Sequence, residues 1–128
     1  MLSHELSTAV RQAIDHIEAH YTEIQSVPEI ADAVEENYHN LRTRFRRETG
    51  QTLEEYLIRT RLEAAATLLT ETTLLVQEIC WKVGYRDEAH FGKRFREQYG
   101  TTPLSYRYRK RLLRLIADTL ARFKQYIR

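Results

Sequence analysis

The sequence predicts an all-α protein. Three observations carry that expectation. Its 128 residues include only 4 Gly and 2 Pro. Apolar residues recur at three- and four-residue spacing along most of the chain, and strand-like alternation is scarce. One pattern of residues also occurs twice: Ile30, Ala31, Val34, Leu41, Phe45, Arg46, Gly50, Thr52 and Tyr56 return as Ile79, Cys80, Val83, Phe91, Phe95, Arg96, Gly100, Thr102 and Tyr106. The offset is 49 up to Val34 and Val83, and 50 from Leu41 and Phe91 onward, so the second copy carries one extra residue between its two helices. A helix-turn-helix tolerates an insertion at its turn, because the flanking apolar positions stay in phase.

The elements follow in order. A first helix is expected from about Leu6 to Tyr21, on the stripe Leu6, Val10, Ile14, Ile17 and Tyr21. A second begins with Ser26 as cap, Glu29 closing a capping box and Pro28 in the first turn, where its missing N–H costs nothing. It buries Ile30, Ala31 and Val34 and stops near Glu36. Asn37 caps a third helix, which carries Leu41 and Phe45 inward and ends at Gly50. Thr52 and Glu55 form another capping box and open a long helix to about Thr70, with Tyr56, Leu57, Ala64, Ala65, Leu68 and Leu69 as its apolar positions. The fifth helix spans about Val76 to Val83. Its cap position holds Leu75 where the first copy has Ser26, a loss of about 1 kcal/mol, so this start is expected to fray more. Gly84 makes the turn, Asp87 caps the sixth helix, and Phe91, Phe95 and Tyr99 face inward up to Gly100. Thr102 and Pro103 open the seventh, and the chain continues as helix from Leu112 to Arg128. There Leu112, Ile116, Leu120, Phe123 and Ile127 make one apolar stripe, expected to pack on the chain's own core, with self-association or a partner seam as the alternative.

The expected division is residues 1–51 for a first helix-turn-helix subdomain, 52–70 for a linking helix, 71–111 for a second subdomain and 112–128 for a C-terminal amphipathic extension. Each subdomain is a homeodomain-like unit of three helices.

Composition narrows the function. The hydrophobic fraction is 42% and mean hydropathy is −0.58, enough apolar residues for a core in a chain expected to be soluble. No apolar run approaches the roughly 20 residues that span a bilayer, and Met1 to Ser7 lack the pattern of a secretory signal. The one cysteine, Cys80, fits a reducing compartment. A cytoplasmic, nucleoid-associated protein is expected. The net charge of +2 is unevenly divided: residues 1–37 hold eight acids and one base, a net −7, and the remainder is +9. That basic body is the footprint of a polyanion binder.

In a helix-turn-helix the second helix enters the major groove, and residues near its N-terminus reach base edges. The inward positions fix which residues those are. With Leu41 and Phe45 buried, the candidates for base contact are His39, Asn40, Arg42, Thr43 and Arg46. With Phe91 and Phe95 buried, they are Glu88, Ala89, His90 and Lys93. Arginine and lysine suit guanine, asparagine suits adenine, and alanine or a threonine methyl suits the thymine methyl. Glu88 has two readings: it accepts from cytosine N4, or it is a solvated first-turn carboxylate favoured by the helix dipole. Arg44, Arg47, Arg94, Arg96, Arg107 and Arg109 are the candidates for phosphates, which position a protein without reading sequence. Four arginines within six positions of the first groove helix, opposed by Glu48 alone, exceed what a solvated surface needs.

The stretch from Ile79 to Arg107, ICWKVGYRDEAHFGKRFREQYGTTPLSYR, closely resembles the signature of the AraC/XylS family of bacterial transcription regulators. The matching residues are Ile79, Gly84, Tyr85, Phe91, Phe95, Gly100, Thr102, Pro103, Tyr106 and Arg107. The first unit matches through Ile30, Ala31, Leu41, Phe45, Gly50, Tyr56, Leu57, Arg61, Leu68 and Leu69. The resemblance covers about residues 6–109. It implies two helix-turn-helix subdomains on a rigid helix, acting on double-stranded promoter DNA as an activator that touches RNA polymerase. Three departures stand out. Cys80 replaces an alanine. Glu35 and Glu36 stand where family members carry glycine, so the first turn is expected to differ in geometry. The chain also leaves no room for the effector or dimerisation domain that family members often carry, so it is either a stand-alone regulator or part of a longer protein.

Other constellations are weak. His16 and His20 are four apart but lack a third metal ligand. Cys80 reads as a core thiol, and Trp81 as a partly exposed packing residue. There is no nucleophile–base pair or phosphate loop, so no enzyme, cofactor, metal or membrane is expected. Two other readings remain open: a helical protein-interaction module, and a nonspecific nucleoid-type DNA binder.

Overall fold

The computed structural model describes residues 5–127. Positions 1–4 and 128, which belong to the outer ends of the expected division and to the segment read for a secretory signal, lie outside the described residues. The described chain is seven helices with no strand: α1 (Thr8–His20), α2 (Pro28–Ala33), α3 (Tyr38–Thr49), α4 (Leu53–Glu71), α5 (Val76–Lys82), α6 (Glu88–Tyr99) and α7 (Pro103–Tyr126). None is long and apolar enough to cross a membrane.

Two cores form, one for each copy of the repeat. In the first, α1 to α3 gather Val10, Ala13, Ile17, Ile30, Ala31, Leu41 and Phe45. In the second, α5 and α6 gather Ile79, Cys80, Val83, Phe91 and Phe95. α4 serves both. Its first turns give Leu53 and Leu57 to the first core; its last turns give Leu62, Ala65, Ala66 and Leu69 to the second. The buried face thus rotates along the helix: of the expected apolar positions Tyr56, Ala64 and Leu68 are half-buried, while Leu53, Leu62 and Ala66, outside that set, are buried.

The helix ends are set by side chains. The Ser7 hydroxyl accepts from the Val10 N–H, which moves the start of α1 to Thr8. Asn37, Thr52, Asp87 and Thr102 cap α3, α4, α6 and α7. At α2 only half of the expected capping box forms. The Glu29 carboxylate accepts from the Ser26 N–H at 2.6 Å, but the cap position is Val27 and no side chain caps it. At α5 the Glu78 carboxylate accepts from the Leu75 N–H at 2.9 Å in the same way. The two starts are therefore held alike, and Ser26 brings no cap that Leu75 lacks.

The turns also correct an expectation. Glu35 takes a left-handed φ of 57°, and its counterpart Gly84 one of 106°. The following N–H closes each turn: Glu36 donates to the Ala31 carbonyl and Tyr85 to the Cys80 carbonyl, both at 3.0 Å. The first turn keeps the left-handed region and the closing hydrogen bond without a glycine, at a smaller φ. The extra residue of the second copy is Arg86, which lies between Tyr85 and the cap Asp87.

The units are joined tightly. Arg61 of α4 donates from Nε to the Tyr21 carbonyl at 2.7 Å and from Nη2 to the Ile24 carbonyl at 2.6 Å, satisfying oxygens just beyond the C-terminus of α1. Its guanidinium also lies 5.7 Å from the centroid of the Tyr85 ring in the second unit. A Cβ built on Gly84 would come within 2.9 Å of Arg61 Nε and 3.0 Å of the Tyr21 carbonyl oxygen, so only glycine admits this approach.

The C-terminal stripe does not pack on the core. α7 continues unbroken through residue 126, and every described residue from Tyr108 onward is exposed. Leu112, Ile116, Leu120, Phe123 and Ile127 are 46–67% exposed. The expectation of self-packing fails because Pro103, Tyr106 and Arg107 already complete the contact with the second core, and the helix then runs past it.

Candidate nucleic-acid interface

α3 and α6 hold the candidate base-reading residues, and the buried pairs decide what they present. Leu41 and Phe45 are 1% and 0% exposed; Phe91 and Phe95 are both 0%. With those faces locked, His39, Asn40, Arg42, Thr43 and Arg46 are exposed on α3, and Glu88, Ala89, His90 and Lys93 on α6. His39, Arg42, Thr43 and Arg46 share one face of α3 by their i, i+3, i+4 and i+7 spacing, and Ala89, Gly92, Lys93 and Arg96 occupy the equivalent face of α6. The Thr43 hydroxyl is engaged by the His39 carbonyl at 3.0 Å. Glu88 is exposed in the first turn of α6, where the cap carboxylate of Asp87 already accepts from the Ala89 and His90 N–H groups.

Each of these helices borders a groove, and the two grooves are related by the repeat. The first runs between Arg42, Thr43, Arg46 and Arg47 on α3 and Thr52, Leu53 and Glu54 at the start of α4. The second runs between Gly92, Lys93, Arg96 and Glu97 on α6 and Thr102 and Pro103 at the start of α7. Four of the equivalent pairs differ: Arg42 with Gly92, Thr43 with Lys93, Arg47 with Glu97 and Leu53 with Pro103. The two surfaces are the same shape element with different chemistry.

The electrostatics favour an anion at α3. Among the described residues Arg42, Arg44, Arg46, Arg47, Lys93 and Arg96 make no ion pair, so their charges are not neutralised internally. Glu48, the one acid beside them in sequence, is turned to α1, where it accepts from the Ser7 N–H at 2.7 Å. The Glu55 carboxyl is held below its ordinary range by the Thr52 backbone N–H of the capping box, with Arg46 adding a smaller effect.

The candidate phosphate contacts divide. Arg47, Arg96 and Arg109 are exposed and Arg44 is half-buried. Arg94 is half-buried, donates to His90 Nε2 at 3.4 Å and lies 3.7 Å from Glu97. Arg107 is the correction. It is only 7% exposed, and it donates from Nε to the Leu69 carbonyl at 2.9 Å and from Nη2 to the Thr72 carbonyl at 3.3 Å. It caps the end of α4 and fastens α7 there, so its buried head group serves the fold. Burial lowers its pKa, as it does for Arg61.

Two surface residues add to the sequence reading. Arg86 is exposed on the approach to α6. The change of offset from 49 to 50 was the signal that located an insertion there. Trp81 on α5 is 57% exposed, a large aromatic left in solvent beside the second unit. Cys80 is fully buried, and burial pushes its thiol up to about 11. No group of three His, Cys, Asp or Glu that would hold a metal occurs among the described residues.

A family profile described as a helix-turn-helix domain matches residues 30–111, from the first core to the base of the tail. The chain belongs to the AraC/XylS family. It is similar to the xylose operon regulatory protein of Escherichia coli (strain K12), with 37% identity over 99 residues, 77% of this chain and 25% of that protein. It is also similar to the lactose operon transcription activator of Staphylococcus xylosus, with 29% identity over 77% of this chain and 36% of that protein. The chain thus spans about a quarter to a third of the length of these curated AraC/XylS relatives. Among solved structures, the C-terminal domain of AraT, a response regulator from Geobacillus stearothermophilus, aligns with a TM-score of 0.79 and 30% identity, covering 81% of this chain and 87% of that one. The DNA-binding domain of AdpA, a global transcriptional factor solved with a target DNA, aligns with a TM-score of 0.79 and 27% identity, covering 84% and 97%. The fold of this chain is that of AraC/XylS-type DNA-binding domains.

Proposed function

We propose that this chain binds double-stranded promoter DNA sequence-specifically and regulates transcription as an activator, with α3 and α6 in successive major grooves. The observation that carries the reading is the pair of equivalent exposed faces, basic and not internally neutralised, one on each recognition helix. α4 is 19 residues, about 28 Å at 1.5 Å per residue. Successive major grooves on one face of DNA are about 34 Å apart. A rod of that length, with Arg61 tying the units together, supports simultaneous reading and a modest bend in the DNA.

His39, Asn40, Arg42, Thr43, Arg46, Glu88, Ala89, His90 and Lys93 are the proposed base readers. Arg44, Arg47, Arg94, Arg96 and Arg109 are the proposed phosphate contacts, with Arg94 leaving His90 and Glu97 to serve. The proposed units remain residues 1–51 and 71–111 around the linking helix 52–70. Activation by contact with RNA polymerase and a location on the cytoplasmic nucleoid follow from the same reading, as does the absence of enzymatic activity. The relatives' names, an operon regulator and an operon activator, support it.

Selection of bound sequences from a random DNA pool tests it. The expected product is one asymmetric site with two unlike segments a helical turn apart, and a footprint over both. Binding that does not discriminate and falls steeply with salt would instead favour the nonspecific nucleoid reading.

A further inference from the structure

The tail of α7 carries a surface that the DNA-binding reading does not use. From residue 112 onward every described residue of the helix is exposed, and although Leu115 falls on the outer face, five of the apolar residues follow one rule. Leu113, Ile116, Leu120, Phe123 and Ile127 are spaced three, four, three and four, the seam of a left-handed coiled coil. They are 46–67% exposed. A single helix of this length is marginal in water unless an apolar face is covered. The base of the tail is fixed, because Arg111 donates to the Thr72 carbonyl at 2.7 Å and Arg114 to the Glu71 carboxylate at 3.1 Å. The seam is therefore held out from the body as a straight extension.

We propose that this seam docks on the same seam of further copies of this chain, side by side and in parallel. With Leu113, Leu120 and Ile127 as a positions and Ile116 and Phe123 as d positions, a parallel pairing sets each residue against its own counterpart. The flanking g-to-e pairs are then Leu112 with Ala117 and Thr119 with Lys124, so no two cations face each other across the seam. The tail's other charges, Arg111, Arg114, Asp118 and Arg122, fall on the outer b, c and f positions. Arg109 at a d position ends the seam towards the body. Leu113 at a with Ile116 at d in the first heptad, and a seam widened by Leu112 and Tyr126 at g, favour three or four strands. The proposal is independent of the DNA-binding reading, since none of these residues lies on α3 or α6.

Sedimentation equilibrium over a concentration range reaching hundreds of micromolar tests it. The expected result is reversible assembly into two or more copies, with Leu120→Asp weakening it about tenfold or more while the thermal transition of the body is unchanged. Orientation is read by oxidative crosslinking. Cys80 is buried, so an introduced thiol is the reactive one. Leu113→Cys is expected to link two chains, and Asp118→Cys on the outer face is not. A chain that stays monomeric throughout, assembly indifferent to Leu120→Asp, or crosslinking through Asp118→Cys but not Leu113→Cys overturns the proposal. So does a monomer that instead co-sediments with phosphatidylglycerol vesicles, which would make the tail a lipid-binding helix.

Discussion

Glu35 and Gly84 hold the same left-handed turn, one in each unit, and only one of them is suited to it. A non-glycine residue in this region costs roughly 1–2 kcal/mol, while glycine adds some unfolded-state entropy. Glu35→Gly is therefore expected to stabilise the first unit by about 1 kcal/mol. Denaturant titration checks it: a higher midpoint with an unchanged slope is the expected result, and a lower midpoint would mean that the Glu35 side chain has a stabilising role.

Tyr85 is buried, and among the described residues its hydroxyl has no hydrogen-bond partner. An unsatisfied buried hydroxyl costs about 1–3 kcal/mol. Tyr85→Phe is expected to leave stability unchanged or raise it by up to about 1 kcal/mol, because the ring contacts with His90 and Phe91 remain. Thermal melting of the two proteins in one buffer reads the difference.

Arg61 is expected to be the costliest of the exposed or half-buried arginines to lose. Arg61→Ala removes two charge-assisted bonds to the Tyr21 and Ile24 carbonyls and the stacking on Tyr85, at about 3 kcal/mol. Hydrogen exchange locates the effect: the amides at the end of α1 and in the α5–α6 turn should lose protection together. Loss confined to one unit would show that Arg61 does not couple them.

Arg107 separates a structural arginine from a phosphate contact. Lysine cannot span the Leu69 and Thr72 carbonyls as a guanidinium does, so Arg107→Lys is expected to cost about 2 kcal/mol of stability. The slope of log affinity for DNA against log salt should stay at the parent value. A slope shallower by about one would return Arg107 to the phosphate set.

Arg42 and Arg47 should differ in kind. Arg42→Ala is expected to cost about 1–3 kcal/mol at particular base pairs. Arg47→Ala should weaken binding evenly across sequences and reduce the salt slope by about one. Competition assays with single-base variants of the selected site distinguish the two patterns.

Most of the architecture was legible because the chain repeats. Gly50 and Gly100, the caps Asn37, Thr52, Asp87 and Thr102, and the buried pairs Leu41–Phe45 and Phe91–Phe95 all announce themselves by local rules. What was not legible depends on non-local contact. Arg107 sits in a basic stretch and reads as surface; its burial follows from the open carbonyls of Leu69 and Thr72, 38 and 35 residues earlier. The half-formed box at Ser26 depends on which of two adjacent residues enters the helix first. The stripe on α7 has the same pattern whether it covers a core or meets water, so periodicity could not say which. The outward sets on α3 and α6 followed directly from the inward ones.

Gly84 is the place where α4, the end of α1 and the second turn come within touching distance. A reader with fixed arms measures as well as spells. On the proposed reading, each base pair added between the two recognised segments would rotate one by roughly 35° relative to the other, a misalignment that the Arg61–Gly84 contact resists. A site read in the proposed way would tolerate a changed base more readily than a changed spacing.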